Sequence, residues 1–190
     1  MEISSLSQAE KRVLLVLARE SLECNVRGEK TPELDLHTLP PRLRAHGASF
    51  VTLTIDGELR GCVGALEAYQ PLALDVREHA AAAALQDPRF PPVGPGELSG
   101  IKIEVSRLTA PVDLQYASGE ELPGRLRPHI DGVILRDGFH RATFLPQVWE
   151  KIPDPEDFLD NLCSKMGAVP GLWRHRLLTV QIYQVEEFCE

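Results

Sequence analysis

The sequence predicts an α+β fold, a mostly antiparallel sheet built from hairpins with helices packed on it. Two observations carry this. The dipeptides Asp56-Gly57 and Asp137-Gly138 each separate apolar, β-branched runs, which is the strongest short-range hairpin signal. Helical patterns lie between the hairpins, without the regular strand–helix alternation of a parallel sheet.

The first helix opens at Ser7, where Ser7 and Glu10 form a capping box, each able to satisfy a free amide of the first turn. In the run Val13 to Leu22, Leu14, Leu17, Ala18 and Ser21 share one face, and Gly28 provides a stop. Thr31 to Pro41 bears prolines and reads as irregular. Phe50 to Ile55 and Glu58 to Val63 flank the first Asp-Gly turn. Pro71 starts a second, alanine-rich helix running to Gln86, and Asp87-Pro88 ends it, because a residue before proline avoids the helical region. Ile101 to Leu108 alternates apolar and polar residues as a half-buried strand does. The second hairpin comprises Gly132 to Arg136, the turn Asp137-Gly138, and Arg141 to Leu145. A third helix starts at Asp154, with acids in its first turn and Gly167 beyond its end. Leu178 to Phe188 reads as a closing strand.

At ~150 residues per domain, 190 residues make one domain, or one domain of two lobes. Such a chain buries roughly 70% of its unfolded surface, so no disulfide or metal staple is required. The net charge of -8 argues against a nucleic-acid binder relying on global charge. The apolar runs are far shorter than the ~20 residues that cross a bilayer. Met1-Glu2-Ile3 carries an acid where a signal peptide carries a base. Cys24, Cys62, Cys163 and Cys189 lie far apart, with no zinc-like spacing, so a reducing, cytoplasmic setting is the simplest reading and no metal site is expected.

Chemistry concentrates in Leu59-Arg60-Gly61-Cys62-Val63-Gly64. Two glycines weaken a strand, so a close approach or a β-bulge must favour them. Arg60 beside Cys62 would favour a thiolate nucleophile, whereas cysteine is also among the most buried residue types and packing alone would account for it. Asp87-Pro88-Arg89-Phe90-Pro91-Pro92 fixes its backbone with three prolines, and Arg89 would offer a planar fork to a carboxylate or phosphate. Glu104 shares a strand face with Ser106, a base if that face lines a cleft with Cys62 and a solvated residue if it does not. His140 is a further candidate base, and His79 sits among alanines. Arg125, Arg127, Arg136 and Arg141 form a local basic stretch that would meet RNA or an acidic partner, or balance nearby acids.

The Leu59–Gly64 motif resembles the signature of the AMMECR domain family, whose prokaryotic members are called AmmeMemoRadiSam system protein A. Asp87–Pro92 and the stretch Thr143-Phe144-Leu145-Pro146-Gln147-Val148-Trp149, with Leu162-Cys163-Ser164-Lys165 downstream, are similar to its later motifs. Val63 stands for the usual isoleucine, and Ala65 for a threonine. The resemblance implies a single AMMECR-type domain over residues 1–190, of two lobes, with a site around the cysteine motif. The candidate nucleophile is Cys62; the candidate binding residues are Arg60, Gly61, Gly64, Arg89, Glu104 and Thr143. It names no cofactor, and it implies Memo-like and radical S-adenosylmethionine proteins as partners by genomic association. Two functions follow: an enzyme acting on a small anionic or acyl-type substrate, or a non-catalytic module holding a small molecule, peptide, protein or RNA for a partner. A membrane role is not expected, and nucleic acid is the less favoured ligand.

Overall fold

The computed structural model describes residues 5–190; the N-terminal residues 1–4, read above for a signal-peptide pattern, lie outside the described residues. In chain order the elements are α1 (Gln8–Val26), α2 (Pro41–Arg44), β1 (His46–Ile55), β2 (Glu58–Gly64), β3 (Gln70–Pro71), α3 (Leu72–Leu85), β4 (Ile101–Leu108) and β5 (Val112–Asp113). There follow α4 (Leu122–Arg125), β6 (Gly132–Asp137), β7 (His140–Phe144), α5 (Pro155–Lys165), α6 (Leu172–His175), β8 (Thr179–Tyr183) and β9 (Val185–Cys189). The fold is α+β, with two antiparallel sheets. The chain divides into two compact units, residues 5–109 with 186–190, and Ala110–Val185. Among the described residues no helix is long and apolar enough to cross a membrane.

The first unit carries the sheet β2-β1-β4-β9, with β3 paired to the start of β1. The capping box forms as read: the Glu10 amide donates to Ser7 Oγ at 3.2 Å and the Ser7 amide to Glu10 Oε2 at 2.8 Å. Leu14, Leu17, Ala18 and Leu22 of α1 join Val76, Ala80 and Ala83 of α3 and Val51, Leu53, Ile103 and Val105 of the sheet in one core. Small side chains let α3 lie close. A Cβ on Gly61 would overlap the Ala83 carbonyl oxygen, so strand and helix meet backbone to backbone. Gly64 is equally confined, by Phe50 and the Ser49 carbonyl. His79 is buried on α3, 3.2 Å from Asp75, which also accepts a 2.6 Å bond from Ser49.

The first hairpin turns at Asp56-Gly57, whose φ values of 51° and 84° are those of a type I′ turn. Ile55 faces Glu58 and Thr54 faces Leu59, but Leu53 faces Gly61. Arg60 is therefore the extra residue of a β-bulge, and the register beyond it moves by one. The alternation that would have put Arg60 and Cys62 on one face is broken there. Gly61 faces the helix, so Cys62 faces away from it, opposite Thr52.

The second unit carries the sheet β5-β8-β6-β7. Its core sets Val133 and Leu135 against Phe158, Leu159 and Leu162 of α5. Trp149 stacks on Phe158 at 3.7 Å between ring centroids, and its indole donates to the Asp131 carbonyl at 2.7 Å. Asp154 caps α5 through the amides of Glu156 and Asp157, and Gly167 takes φ +84° beyond its end.

Two sequence expectations are corrected. The second hairpin pairs Asp137 with His140, so its two-residue loop is Gly138-Phe139. Positive φ falls on Gly138 alone of these two, as a type II′ turn requires, and not on an Asp-Gly pair. The run Leu178–Phe188 is not one strand. It breaks at Gln184, with β8 in the second sheet and β9 in the first. An unbroken apolar alternation records which side is buried, not which strand lies alongside.

The Gly61–Ala83 contact yields the first prediction. Gly61→Ala costs about 3 kcal/mol or more, because helix or strand must move. Gly57→Ala, with open space around its Cβ but φ +84°, costs only about 1 kcal/mol. Urea unfolding of both variants measures the difference; similar losses would deny the contact its role.

Candidate functional site

Cys62 is half-buried on β2, the terminal strand of its sheet. The Thr52 hydroxyl donates to its Sγ at 3.3 Å. Thr52 also faces Glu104 on β4, so Cys62, Thr52 and Glu104 form one row across three strands. At about 4.8 Å per strand, the Glu104 backbone stands roughly 10 Å from that of Cys62, with Thr52 between them. Burial raises the Glu104 pKa above the ordinary carboxylate value, and Glu187 raises it further. The carboxyl therefore holds its proton to higher pH than a free one.

The backbone of Cys62 is fixed by the segment after α3. Its amide donates to Asp87 Oδ2 at 2.8 Å, and its carbonyl accepts from Arg89 Nη2 at 3.3 Å. Arg89 closes on Asp87 as a fork, Nε to Oδ1 at 2.9 Å and Nη2 to Oδ2 at 2.6 Å, and its amide adds a 3.0 Å bond to Oδ1. Asp87 and Arg89 thus meet the two groups that Cys62 turns outward from the sheet edge, where a further strand would supply a peptide. The Arg89 fork, the Cys62 amide and the Arg89 amide hold the buried Asp87 carboxyl far below the usual range. Asp87 in turn raises the Arg89 pKa, with a smaller contribution from Cys62. Arg89 is thus the cation in electrostatic contact with Cys62.

Arg60, which the sequence pointed to for that contact, is engaged elsewhere. Its Nε and Nη2 donate to Glu97 at 2.8 and 3.2 Å, and its Nη1 donates to the Pro91 carbonyl at 2.9 Å. The bulge carries it off the Cys62 face. The two arginines still meet, because both guanidinium groups lie within 6 Å of the Phe90 ring, at 5.9 and 5.6 Å. The three prolines around Phe90 hold this arrangement in place.

The structure therefore gathers Arg60, Gly61, Cys62 and Arg89, and sets Glu104 in the same row as Cys62. Gly64 closes the strand against Phe50. Thr143 belongs to the second unit, where its hydroxyl lies 3.1 Å from that of Tyr183. Burial pushes the Tyr183 phenol up to about 12. His140 is exposed at the start of β7. Two arginines of the basic stretch pair with nearby acids, Arg125 with Glu121 and Arg127 with Asp131. Among the described residues, no cluster of three His, Cys, Asp or Glu side chains is placed to hold a metal ion.

Sequence reasoning missed Thr52 and Glu97. With an unbroken hairpin register Cys62 would face Val51; the bulge brings Thr52 opposite it. The available signal was a glycine inside the strand, which marks a bulge without fixing its position.

This is an α+β protein whose terminal-strand cysteine is held by an internal carboxylate–guanidinium pair. The chain belongs to the AMMECR1 family, whose profile matches residues 15–188. A protein of Methanothermobacter thermautotrophicus is 40% identical over 195 residues, covering 100% of this chain and 99% of that one. One of Thermofilum pendens is 40% identical over 200 residues, covering 97% and 92%. The crystal structure of an uncharacterized protein from Pyrococcus horikoshii superposes with a TM-score of 0.82 at 32% identity, covering 97% of this chain and 93% of that one.

The Asp87 pair has a testable pH signature. A carboxylate with a depressed folded pKa adds stability above its unfolded value of about 3.9, and that stability is lost as pH falls towards the folded value. Asp87→Asn therefore costs roughly 2 kcal/mol at neutral pH, tempered because Arg89 is 53% exposed. The gap between variant and parent narrows steadily below about pH 4. Urea unfolding at stepped pH measures this; a gap independent of pH would remove the carboxylate's charge from the account.

Proposed function

We propose that the site around Cys62 is that of a thiol-dependent enzyme acting on a small acyl-type or anionic molecule. The observation that carries this reading is the hydrogen bond from Thr52 to the half-buried sulfur of a residue whose carbonyl accepts from Arg89. A hydroxyl donor and a guanidinium are the groups that an anion at this position would meet. Sγ forms the bond to the acyl carbon, and the leaving group departs with its electron pair and the thiol proton. Water then releases the acid and restores the thiol. Thr52 orients the sulfur, Arg89 meets the charge that develops during the transfer, Asp87 is a positioning residue, and Glu104 in the same row is the candidate proton carrier. Gly61 sets the bulge geometry, Arg60 braces the Phe90 loop, and Gly64 closes the strand; Thr143 is proposed as a binding residue from the family resemblance. A cytoplasmic setting fits four cysteines that are all free.

One observation favours a second reading. The group bonded to the sulfur is a hydroxyl, not a histidine or carboxylate base. A non-catalytic module would use the same face to hold a ligand, peptide or RNA for Memo-like or radical S-adenosylmethionine partners.

The thiolate reading is tested by timed alkylation with iodoacetamide, followed by peptide mass spectrometry. Cys62 reacts faster than the more exposed Cys189 and than the comparably buried Cys24, and Thr52→Val slows it severalfold with folding intact. Cys62 reacting no faster than Cys24 sinks the enzyme reading and leaves the binding module.

A further inference from the structure

We infer that Arg89, through its single unengaged nitrogen, is the subsite for a carboxylate on the molecule that meets Cys62, so that the substrate carries its acid group beside its electrophilic carbon. This rests on the thiol-site reading above and goes beyond it in naming the group that is recognised.

Arg60 has Nε and Nη2 on Glu97 and Nη1 on the Pro91 carbonyl. All three of its nitrogens are committed within the chain. Arg89 has Nε on Asp87 and Nη2 on both Asp87 and the Cys62 carbonyl. Its Nη1 makes no hydrogen bond among the described residues, and the side chain is 53% exposed. A guanidinium carries five N–H donors, so Nη1 leaves two for a visitor.

The same bonds fix where that nitrogen is offered. The proline-bound loop, the fork on Asp87 and the contact with the Cys62 carbonyl hold the guanidinium plane against the nucleophile's own residue. An anion landing there is recognised without ordering a flexible side chain, on a guanidinium bonded to the residue that carries the sulfur. The fork itself is closed by Asp87, so the contact is made through one nitrogen. With its charge already partly offset by Asp87, a guanidinium offering one nitrogen suits a small monoanion such as a carboxylate better than a dianion.

The paired reagents iodoacetate and iodoacetamide test this directly. They are close in size and deliver the same chemistry, a new S–C bond with loss of iodide and release of the thiol proton to solvent. They differ in whether a carboxylate sits beside the reacting carbon. The quantity read is the ratio of iodoacetate to iodoacetamide rates at each cysteine of the intact protein, against the same cysteine in urea-unfolded chain. At Cys62 the folded ratio exceeds the unfolded one by about tenfold, the scale of one hydrogen bond to a charged group. The iodoacetate rate saturates, and acetate protects Cys62 while leaving Cys189 unaffected. Arg89→Gln returns the ratio to its unfolded value. Should that variant fail to fold, saturation and acetate protection in the parent protein decide the matter.

Equal folded and unfolded ratios with fast iodoacetamide labelling would overturn the carboxylate subsite and leave the thiol site standing. Slow labelling of Cys62 by both reagents would instead remove the thiol site itself. A preference kept in Arg89→Gln but lost in Arg60→Gln would assign the anion to the other arginine and also overturn the inference.

Discussion

The contact between Gly61 and the Ala83 carbonyl sets the terms for the rest of the first unit. Two backbones approach with no side chain between them, which requires glycine on the strand and small residues on the helix. Once Gly61 is turned to the helix, the next residue must turn away from it. The extra residue needed to reach that orientation is Arg60, thrown out as a bulge towards Glu97. Cys62 then lies on the face that holds Thr52 and Glu104. One packing constraint therefore selects the strand register, the face of the cysteine and the neighbour that donates to its sulfur.

A second constraint acts from the sheet edge. β2 is a terminal strand, and terminal strands expose peptide groups that other chains can pair with. At Cys62 those groups are taken by Asp87 and Arg89, which imitate the acceptor and the donor, respectively, of a missing strand. The rest of the segment explains why this holds. Pro88, Pro91 and Pro92 restrict the backbone, both guanidinium groups lie against the Phe90 ring, and Arg60 ties the loop back through Pro91. What reads in sequence as an anion-binding arginine is, for most of its donors, an internal brace.

How far the sequence was legible depends on the range of the interaction concerned. The capping box at Ser7, the type I′ turn at Asp56-Gly57 and the capped α5 are decided within a few residues, and all three stand where the local chemistry puts them. The hairpins and the α+β class follow from such signals. The II′ turn at Gly138-Phe139 shows the limit, since Asp137-Gly138 supplies the glycine while strand pairing decides which residues form the loop. At the candidate site, motif and resemblance found Cys62, Arg60 and Arg89, but the partners of each are set over distance. Glu97 lies 37 residues from Arg60, and Asp87 lies 25 from Cys62. No periodicity connects such pairs. Thr52 was hidden for another reason, because one bulge residue exchanged its place with Val51.

The break at Gln184 bears on how this protein is made. β9 closes the edge of a sheet whose other strands lie far upstream, and Glu186 on it accepts from the Leu6 amide and pairs with Lys11 and Arg107. The first unit is thus discontinuous in sequence. On a ribosome its α1, α3 and β1–β4 emerge early, but the residues that tie down the start of α1 arrive only after the whole second unit has been synthesised. Until then β4 presents an unpaired edge to solvent and to neighbouring chains. A chain still lacking residues 185–190 has the other strands of its first sheet but not the one that pairs with the outer edge of β4.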